Sequence, residues 1–247
     1  MALLIVGGAA ASLQSLTGQI GRTRRYKGLV QAIKQTSSNI TEVVCDMGRR
    51  WPGHQAGQFA LVTFDRIEGA HPFSLSSADN GSGQLSFHIK ALGDYTRDIP
   101  QRLSSGQAVT IEGPYGRFDP ASGRKNAQQI WVAGGIGVTP FLAALEKRLF
   151  DADPARPAIT LHYCTAGAVD DPMVARLQRL TEQLPDVSLH LHDSRQGQRL
   201  TADRLRLHDR RVDLWFCGPK GLASTLRSGL KQRSLSLRFH QESYQFR

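Results

Sequence analysis

Residues 130–150 read IWVAGGIGVTPFLAALEKRLF, and this stretch decides the class of fold. Its first four residues are apolar and sufficient for a short strand, and a glycine-rich turn follows them. From Pro140 onward the apolar residues recur at helical spacing, and proline is favourable in the first turn of a helix. A strand, a glycine turn and a helix in this order indicate the first unit of a parallel sheet.

The same alternation continues towards the C-terminus. Further strands are predicted at residues 158–164, 187–193 and 212–218, and helices at residues 172–184 and 219–232. Strands that alternate with helices form a parallel sheet covered on both faces. We therefore predict a doubly wound α/β domain over residues 123–247.

Upstream of this domain the hydrophobic period shortens to that of antiparallel strands. Five short alternating runs are separated by Gly, Pro and Asn, at residues 29–36, 39–47, 58–64, 84–92 and 107–113. These runs predict a small antiparallel β-barrel domain over residues 28–122. A stretch of polar and small residues at 120–129 indicates the linker between the two domains.

The composition narrows the class of protein. Of the 247 residues 40% are hydrophobic, which excludes a disordered chain and, over most of the length, a membrane protein. Lys and Arg number 31 against 21 Asp and Glu, and the sequence pI is about 10.0. This excess favours anionic partners, namely nucleic acid, an anionic membrane face or phosphate-bearing cofactors, with a solvated basic surface as the alternative.

The three cysteines, Cys45, Cys164 and Cys217, are far apart and lack a CxxC spacing. The sequence therefore indicates neither a disulfide framework nor a zinc site, and we expect no metal site. An iron–sulfur module is also excluded, because such clusters are usually held by four cysteines. A reducing compartment fits this pattern best.

The N-terminal segment, residues 1–27, begins with the apolar run ALLIVGGAAASL at residues 2–13. That run is shorter than the roughly 20 residues that cross a bilayer alone. A basic cluster follows it, formed by Arg22, Arg24, Arg25 and Lys27. The basic residues come after the apolar run, which disfavours a signal peptide. A short terminal helix and the end of a last transmembrane helix remain, and we favour the second, with the chain at the cytoplasmic face of the inner membrane.

Two turns at strand ends are candidate ligand contacts. In GGIGVTP (134–140) the glycines let the backbone approach a pyrophosphate, whose charge the free amides of a helix N-terminus can meet. CGP (217–219) ends another strand of the same sheet, so Cys217 is expected to face the same crevice. Both turns can equally be structural, and a buried cysteine can serve as a small apolar residue.

A third candidate, HPFSLSS at residues 71–77, lies in the predicted barrel. From the residues alone it is a turn before a strand. Phe73 can present its face to a flat heterocycle, and the hydroxyl of Ser74 can bond a ring nitrogen.

The order HPFS, IKALGDYTR (89–97), EGPYGRF (112–118), GGIGVTP, CGP and a terminal Glu-x-aromatic resembles the ferredoxin–NADP reductase superfamily. Within it, residues 28–247 are most similar to the cytosolic half of bacterial ferric-reductase-like and NADPH-oxidase-like membrane flavoproteins. The resemblance implies an FAD-dependent NAD(P)H oxidoreductase.

The resemblance implies two sets of binding residues. Phe73 would flank the flavin ring, Ser74 would bond near its N5 atom, and Thr96 would help to hold the FAD pyrophosphate. The implied FAD contacts are His71, Pro72, Phe73, Ser74, Ile89, Lys90, Gly93, Tyr95 and Thr96. The implied NAD(P)H contacts are Gly134, Gly135, Ile136, Gly137, Thr139, Pro140, Cys217, Gly218 and Pro219.

Three features of the nucleotide side are also implied. Ser194 and Arg195 resemble the pair that holds a 2′-phosphate, which favours NADPH over NADH, although Ala166 and Gly167 stand where an arginine sometimes helps. Glu242 would lie near the nicotinamide and Cys217. Tyr244, or alternatively Phe246, would cover the flavin face. Catalytic roles would then fall to Ser74, Cys217, Glu242 and Tyr244.

Three functions are compatible with these observations. The first is a relay from NAD(P)H through FAD to a membrane haem, and then to ferric iron or dioxygen. The second is a soluble flavin or ferredoxin-type reductase that delivers electrons to a protein or to free iron. The third is a basic nucleic-acid-binding module, which is disfavoured because the basic residues are spread through both domains.

Overall fold

A computed structural model describes residues 22–151, 153, 155–231, 233 and 236–242. The described residues contain two β-sheets of different type, a six-stranded antiparallel sheet and a five-stranded parallel sheet. The prediction of a barrel-like antiparallel domain followed by a parallel α/β domain is confirmed.

The antiparallel sheet has the strand order β4-β3-β6-β1-β2-β5. Its strands are β1 Arg25–Ser37, β2 Ile40–Asp46, β3 Phe59–Thr63, β4 His71–Ser74, β5 Gln84–Lys90 and β6 Ala108–Tyr115. Alternate side chains, such as Val43, Leu85 and Phe87, point into one buried core. Helix α1, Asp94–Arg102, contributes Ile99 to that core.

The parallel sheet has the strand order β11-β10-β7-β8-β9. Its strands are β7 Gln128–Gly134, β8 Ile159–Thr165, β9 Val187–Asp193, β10 Arg211–Cys217 and β11 Ser236–Glu242, and its helices are α2 Thr139–Phe150, α3 Pro172–Glu182 and α4 Lys220–Lys231. Trp131 and Leu161 pack with α2 and α3, whereas Ile130 and Val132 pack with α4 on the other face. Helices on both faces make this a doubly wound sheet.

Three elements differ from the pattern-based expectation. HPFS, taken as a turn, is strand β4, because its backbone pairs antiparallel with β3 from Phe59↔Ser74 to Val62↔His71. The stretch after Gly93 forms α1. Strand β11 extends the sheet past β10, and its alternate residues Leu237 and Phe239 pack on the core beneath α4.

The linker between the sheets is fixed by one buried ion pair. Arg124 donates to both carboxylate oxygens of Asp213 on β10, from its backbone N at 2.7 Å and from Nε at 2.9 Å. The same guanidinium reaches the carbonyl oxygens of Val212 and Ser236, so it joins the linker to β10 and β11.

Residues 1–21, which include the apolar run at 2–13, lie outside the described residues. Within the described ranges, no helix combines the length and the apolar character that crossing a membrane requires.

Candidate functional site

A crevice of about 680 Å³ opens where the last residues of β4 and β5 face the glycine turn after β7. Its size is typical of a small-molecule or cofactor site. Most of the predicted FAD contacts meet there with part of the predicted nucleotide loop. The lining residues are His71, Pro72, Phe73, Ser74, His88, Ile89, Lys90, Leu92, Gly93, Asp94, Tyr95, Thr96, Ile136, Gly137, Thr139 and Lys220.

Two polar atoms in this crevice are buried without a protein partner among the described residues, namely His71 Nε2 and Tyr95 Oη. The two rings stack at 4.3 Å between centroids, 17° from parallel. Burial, with the carboxylates of Glu68 and Asp65 nearby, raises the pKa of Tyr95 to about 12, so its hydroxyl keeps its proton. Because buried polar groups are nearly always hydrogen-bonded, these two atoms indicate a ligand.

Phe73 and Ser74 occupy the floor of the crevice. Phe73 is only 8% exposed, because much of its ring packs on Phe64 and Phe87, yet it still lines the cavity. Ser74 is half-buried, and its hydroxyl makes no hydrogen bond within the described part of the chain. Both side chains can therefore meet a planar ring.

Thr96 was predicted to bind the FAD pyrophosphate, and in the structure its hydroxyl makes hydrogen bonds within its own loop. Its hydroxyl accepts from the backbone N of Leu92 and of Gly93 and donates to the carbonyl of Gly93. These bonds close the turn that starts α1. In this arrangement Thr96 shapes the loop, and its contact with a phosphate stays a prediction.

The turns GGIGVTP and CGP pack directly against each other. A Cβ on Gly134 would lie 2.6 Å from Pro219 Cδ, and one on Gly137 would lie 2.4 Å from the carbonyl oxygen of Cys217. Gly135 differs, because it has a φ of +54° and open space where a Cβ would point. Close packing thus accounts for two of the glycines, and Gly135 is the one open to a ligand.

A second cavity of about 260 Å³ adjoins the same turn, beside Gly135, Ile136, Lys90 and Arg195. The buried Asp193, at the end of β9, organises this region by accepting from the backbone N of Gly167, Ala168 and Arg195, each at 2.9 Å. The bond from Ala168 first, and then those from Gly167 and Arg195, hold the pKa of Asp193 below its ordinary value.

Arg195 lies over Gly167, since a Cβ there would stand 2.8 Å from Arg195 Nη1. The missing side chain at position 167 therefore makes room for the guanidinium. Ser194 donates to the carbonyl of Thr165 instead of pointing into the cavity. Of the predicted Ser-Arg pair, only Arg195 lines it.

Cys217 and Glu242 are opposite each other in the pairing of β10 with β11. Burial first, and then the carboxylate of Glu242, raise the pKa of the Cys217 thiol to about 12, so the thiol stays neutral. Burial also raises the pKa of Glu242. Neither residue lines the two cavities, and Tyr244 and Phe246 lie outside the described residues.

Pro140 is buried in the first turn of α2, and Gly218 and Pro219 act as the packing partners of Gly134. The sequence interpretation missed four residues of the crevice, His88, Leu92, Asp94 and Lys220, and also missed Asp193. Lys220 directly follows CGP, and a cation at this position is a sequence signal for a contact with an anionic ligand.

The crevice fits FAD on these observations. It is large enough for much of a dinucleotide, it offers the aromatic ring of Phe73, and it holds the unpartnered polar atoms of His71 and Tyr95. Lys90 and Lys220 add positive charge near the space where phosphates would lie.

Residues 25–119 match the FAD-binding domain family. The reductase component DmpP of phenol 2-monooxygenase from Pseudomonas sp. (strain CF600) is 30% identical over 116 residues, 46% of this chain and 32% of that protein. Respiratory burst oxidase homolog protein E of Arabidopsis thaliana is 31% identical over 158 residues, 52% of this chain and 16% of that protein. The chain thus spans about a third or less of the length of these relatives.

The fold is shared with the flavohem-like FAD/NAD-binding domain of nitric oxide dioxygenase from Vibrio cholerae. The TM-score is 0.73 at 17% identity, over 88% of this chain and 98% of that one. The predicted resemblance to the ferredoxin–NADP reductase superfamily and the predicted cofactor FAD are confirmed. The matched domain and the relatives also support the predicted class, an FAD-dependent reductase.

Proposed function

We propose that this chain, with its FAD-binding domain at residues 25–119, is an FAD-dependent NAD(P)H oxidoreductase. The observation that carries the proposal is the crevice itself, in which strand β4 of the FAD-binding domain faces the glycine turn of the parallel sheet. When bound, FAD accepts hydride from NAD(P)H and releases electrons singly. The task of the protein is to align the two cofactors and to limit access to them.

On the flavin side, Phe73 would support the ring system and Ser74 would offer its free hydroxyl to it. His71 and Tyr95 would bind the cofactor through Nε2 and Oη. Lys90 and Lys220 balance phosphate charge. Pro72, Ile89 and Gly93 shape the walls between these groups.

On the nucleotide side, Ile136 and Lys90 line both the crevice and the second cavity, so one extended dinucleotide could reach from one to the other. Arg195 lines the second cavity, where it could bind a 2′-phosphate. The loop that carries Arg195 is held by the hydrogen bonds to Asp193. This arrangement favours NADPH over NADH.

At the nicotinamide end, the neutral thiol of Cys217, which is buried and lines neither cavity, would contribute a soft, compact packing group, and Glu242 beside it would hold or move a proton at its carboxylate. The raised pKa of Glu242 favours such a role. Tyr244, which lies outside the described residues, would be the ring that nicotinamide displaces.

The favoured electron acceptor is a haem in a membrane part, followed by ferric iron or dioxygen, with the chain at the cytoplasmic face of the inner membrane. The likeness to a respiratory burst oxidase favours it. A second candidate is a soluble reductase that serves a partner protein, which the likeness to the phenol 2-monooxygenase reductase favours.

Anaerobic stopped-flow mixing of the FAD-loaded protein with NADPH and, separately, with NADH tests the proposal. We expect the visible flavin absorbance to bleach, faster with NADPH. If FAD does not bind, or if neither nucleotide bleaches it, the proposed function is wrong. Mixing the reduced protein with a ferric chelate, with air-saturated buffer and with a soluble electron-transfer protein then separates the acceptors.

A further inference from the structure

A polar cluster joins the two domains on the side of the crevice formed by β5. Arg176 on α3 donates from Nη1 to Glu42 Oε1 on β2 at 3.1 Å and from Nη2 to Glu146 Oε1 on α2 at 2.6 Å. The same Nη1 lies 3.0 Å from Nε2 of His88, which lines the crevice. The other oxygen of Glu146 accepts from the backbone N of Ala78 at 3.0 Å.

Three of these four contacts run between the domains, and the fourth, from Arg176 to Glu146, lies within the parallel half. Glu42, His88 and Ala78 belong to the antiparallel half, whereas Arg176 and Glu146 belong to the parallel half. Glu42 and His88 are directly opposite each other in the pairing of β2 with β5, so they present one rigid surface to Arg176. The side chains of Arg176, Glu42 and Glu146 are each only 21–22% exposed.

The hydrogen bonds fix the state of His88. Because a guanidinium only donates, Nε2 of His88 must accept from Arg176, and Nδ1 must therefore carry the proton that goes to Ser76 Oγ at 2.8 Å. Ser76 in turn donates to the carbonyl of Ser86. The cluster is assembled with a neutral imidazole.

The domains also share an apolar contact, in which Ile40, Ala56 and Phe118 pack into the core beneath α2 and α3. That contact contains no hydrogen bond, so it constrains the angle between the domains less tightly than directional bonds do. The guanidinium of Arg176, in contrast, makes hydrogen bonds to three side chains, and such bonds have a preferred direction.

We propose that Arg176 is a positioning residue that sets the angle between the two domains and thereby the alignment of the two cofactors across the crevice. The expected effect on the rate of hydride transfer rests on the proposed function. The expected effect on the angle between the domains does not. Hydride transfer is sensitive to such alignment, because a displacement of about 1 Å can cost roughly 100-fold in rate.

The kinetic test compares Arg176→Gln with Arg179→Gln, which removes the same charge from an exposed position one turn along α3. At saturating NADPH we expect Arg176→Gln to lower the maximum rate of flavin bleaching roughly 10- to 100-fold. Arg176 itself lines neither cavity, so the affinities for FAD and for 2′,5′-ADP should fall much less than the bleaching rate. Arg179→Gln should match the wild type throughout.

The structural test needs no cofactor. Spin labels at Ser82→Cys and Lys147→Cys, two exposed positions in different domains, report the distribution of interdomain distances. We expect Arg176→Gln to broaden this distribution and Arg176→Lys to restore part of it. Glu42→Gln should also broaden the distribution. Because it leaves α3 unchanged, it controls for a folding defect of the arginine variant.

The proposal is wrong if Arg176→Gln and Glu42→Gln both keep the wild-type distance distribution or both keep the wild-type bleaching rate. Failure of the wild type itself to be bleached by either nucleotide overturns the proposed function instead. In that case the distance distribution still decides whether Arg176 sets the domain angle.

Discussion

The rings of His71 and Tyr95 are stacked with their centroids 4.3 Å apart, and each carries a buried polar atom without a protein partner among the described residues. The stack joins the start of strand β4 to helix α1, two elements 20 residues apart in sequence. Two unpartnered polar atoms held in one stack form a binding group for a polar ligand.

Tyr95→Phe removes one of these polar atoms and keeps the stack. We expect the dissociation constant for FAD to rise roughly fivefold, as for the loss of one hydrogen bond of about 1 kcal/mol. Titration of flavin fluorescence measures it. Tyr26→Phe, on β1, is the matched control and should bind FAD like the wild type. Equal affinities for the Tyr95 and Tyr26 variants would exclude a contact from Tyr95.

Ser74→Ala removes the free hydroxyl on the floor of the crevice. We expect flavin reduction by NADPH to slow roughly tenfold, as for the loss of a hydrogen bond of about 1.4 kcal/mol in the reacting complex. The melting temperature should not change, because the hydroxyl has no partner in the described fold. Ser188→Ala, exposed on β9, is the control. An unchanged anaerobic reduction rate would remove Ser74 from the mechanism.

Arg195→Gln tests the choice of coenzyme. We expect kcat/KM for NADPH to fall roughly 10- to 100-fold and that for NADH to stay within about twofold, since only NADPH carries the charge that the arginine meets. Gly167→Ala should act in the same direction, because its methyl group would crowd the guanidinium. A parallel loss with both nucleotides would contradict a specific contact to the 2′-phosphate.

Asp213→Asn tests the linker. The carboxylate is 1% exposed and bonded to Arg124, so the substitution leaves a largely buried guanidinium without its counter-ion. We expect the free energy of unfolding to fall by about 3 kcal/mol, measured by urea denaturation. Asp209→Asn, at an exposed position nearby, should change it by less than about 0.5 kcal/mol. If the two variants are equally stable, the buried pair contributes nothing.

Two buried histidines predict loss of stability in mild acid. Burial, assisted by Arg176 and opposed by Glu42, lowers the pKa of His88 to about 4, and burial with His192 and His190 lowers that of His162 to about 3. The unfolded chain takes up these protons near pH 6.5, whereas the folded chain resists them, so stability falls as the pH drops from about 6.5 towards 4.

Urea midpoints at pH 7, 5.5 and 4.5 measure this slope. His162→Gln should flatten it, because one of the groups that resist protonation is gone, whereas His208→Gln, at an exposed position, should leave it unchanged. A slope that is the same in all three proteins would mean that His162 does not resist protonation in the folded state.

The parallel sheet could be predicted well because its central strands β7 and β10 are almost wholly buried and mostly apolar, and its helices have a clear period. The segment 130–150 kept its strand, turn and helix almost as predicted. Strand β4 could not be predicted in this way, because four residues with a proline are too short for a period, and only pairing with β3 defines them. Strand β11 was missed for a related reason, since its alternation is interrupted by charged and polar residues.

The candidate site was predictable in its motifs and not in its detailed contacts. The pairing of GGIGVTP with CGP follows from the rule that parallel strands end at one edge. The role of Asp193 depends on where three backbone amides converge, and the role of Arg176 depends on how two domains meet. Neither arrangement produces a periodic pattern or a local motif in the sequence, so neither could be predicted from it.

The strand order of the parallel sheet has a consequence for synthesis of the chain. Strand β7, the third in that order, is flanked by β8 and by β10, and β11 completes the edge only at residues 236–242. The antiparallel sheet, in contrast, is complete once Tyr115 has been made. The antiparallel half can therefore fold on the ribosome before the parallel sheet is complete, and the crevice gains its contacts from Ile136, Gly137 and Lys220 only afterwards.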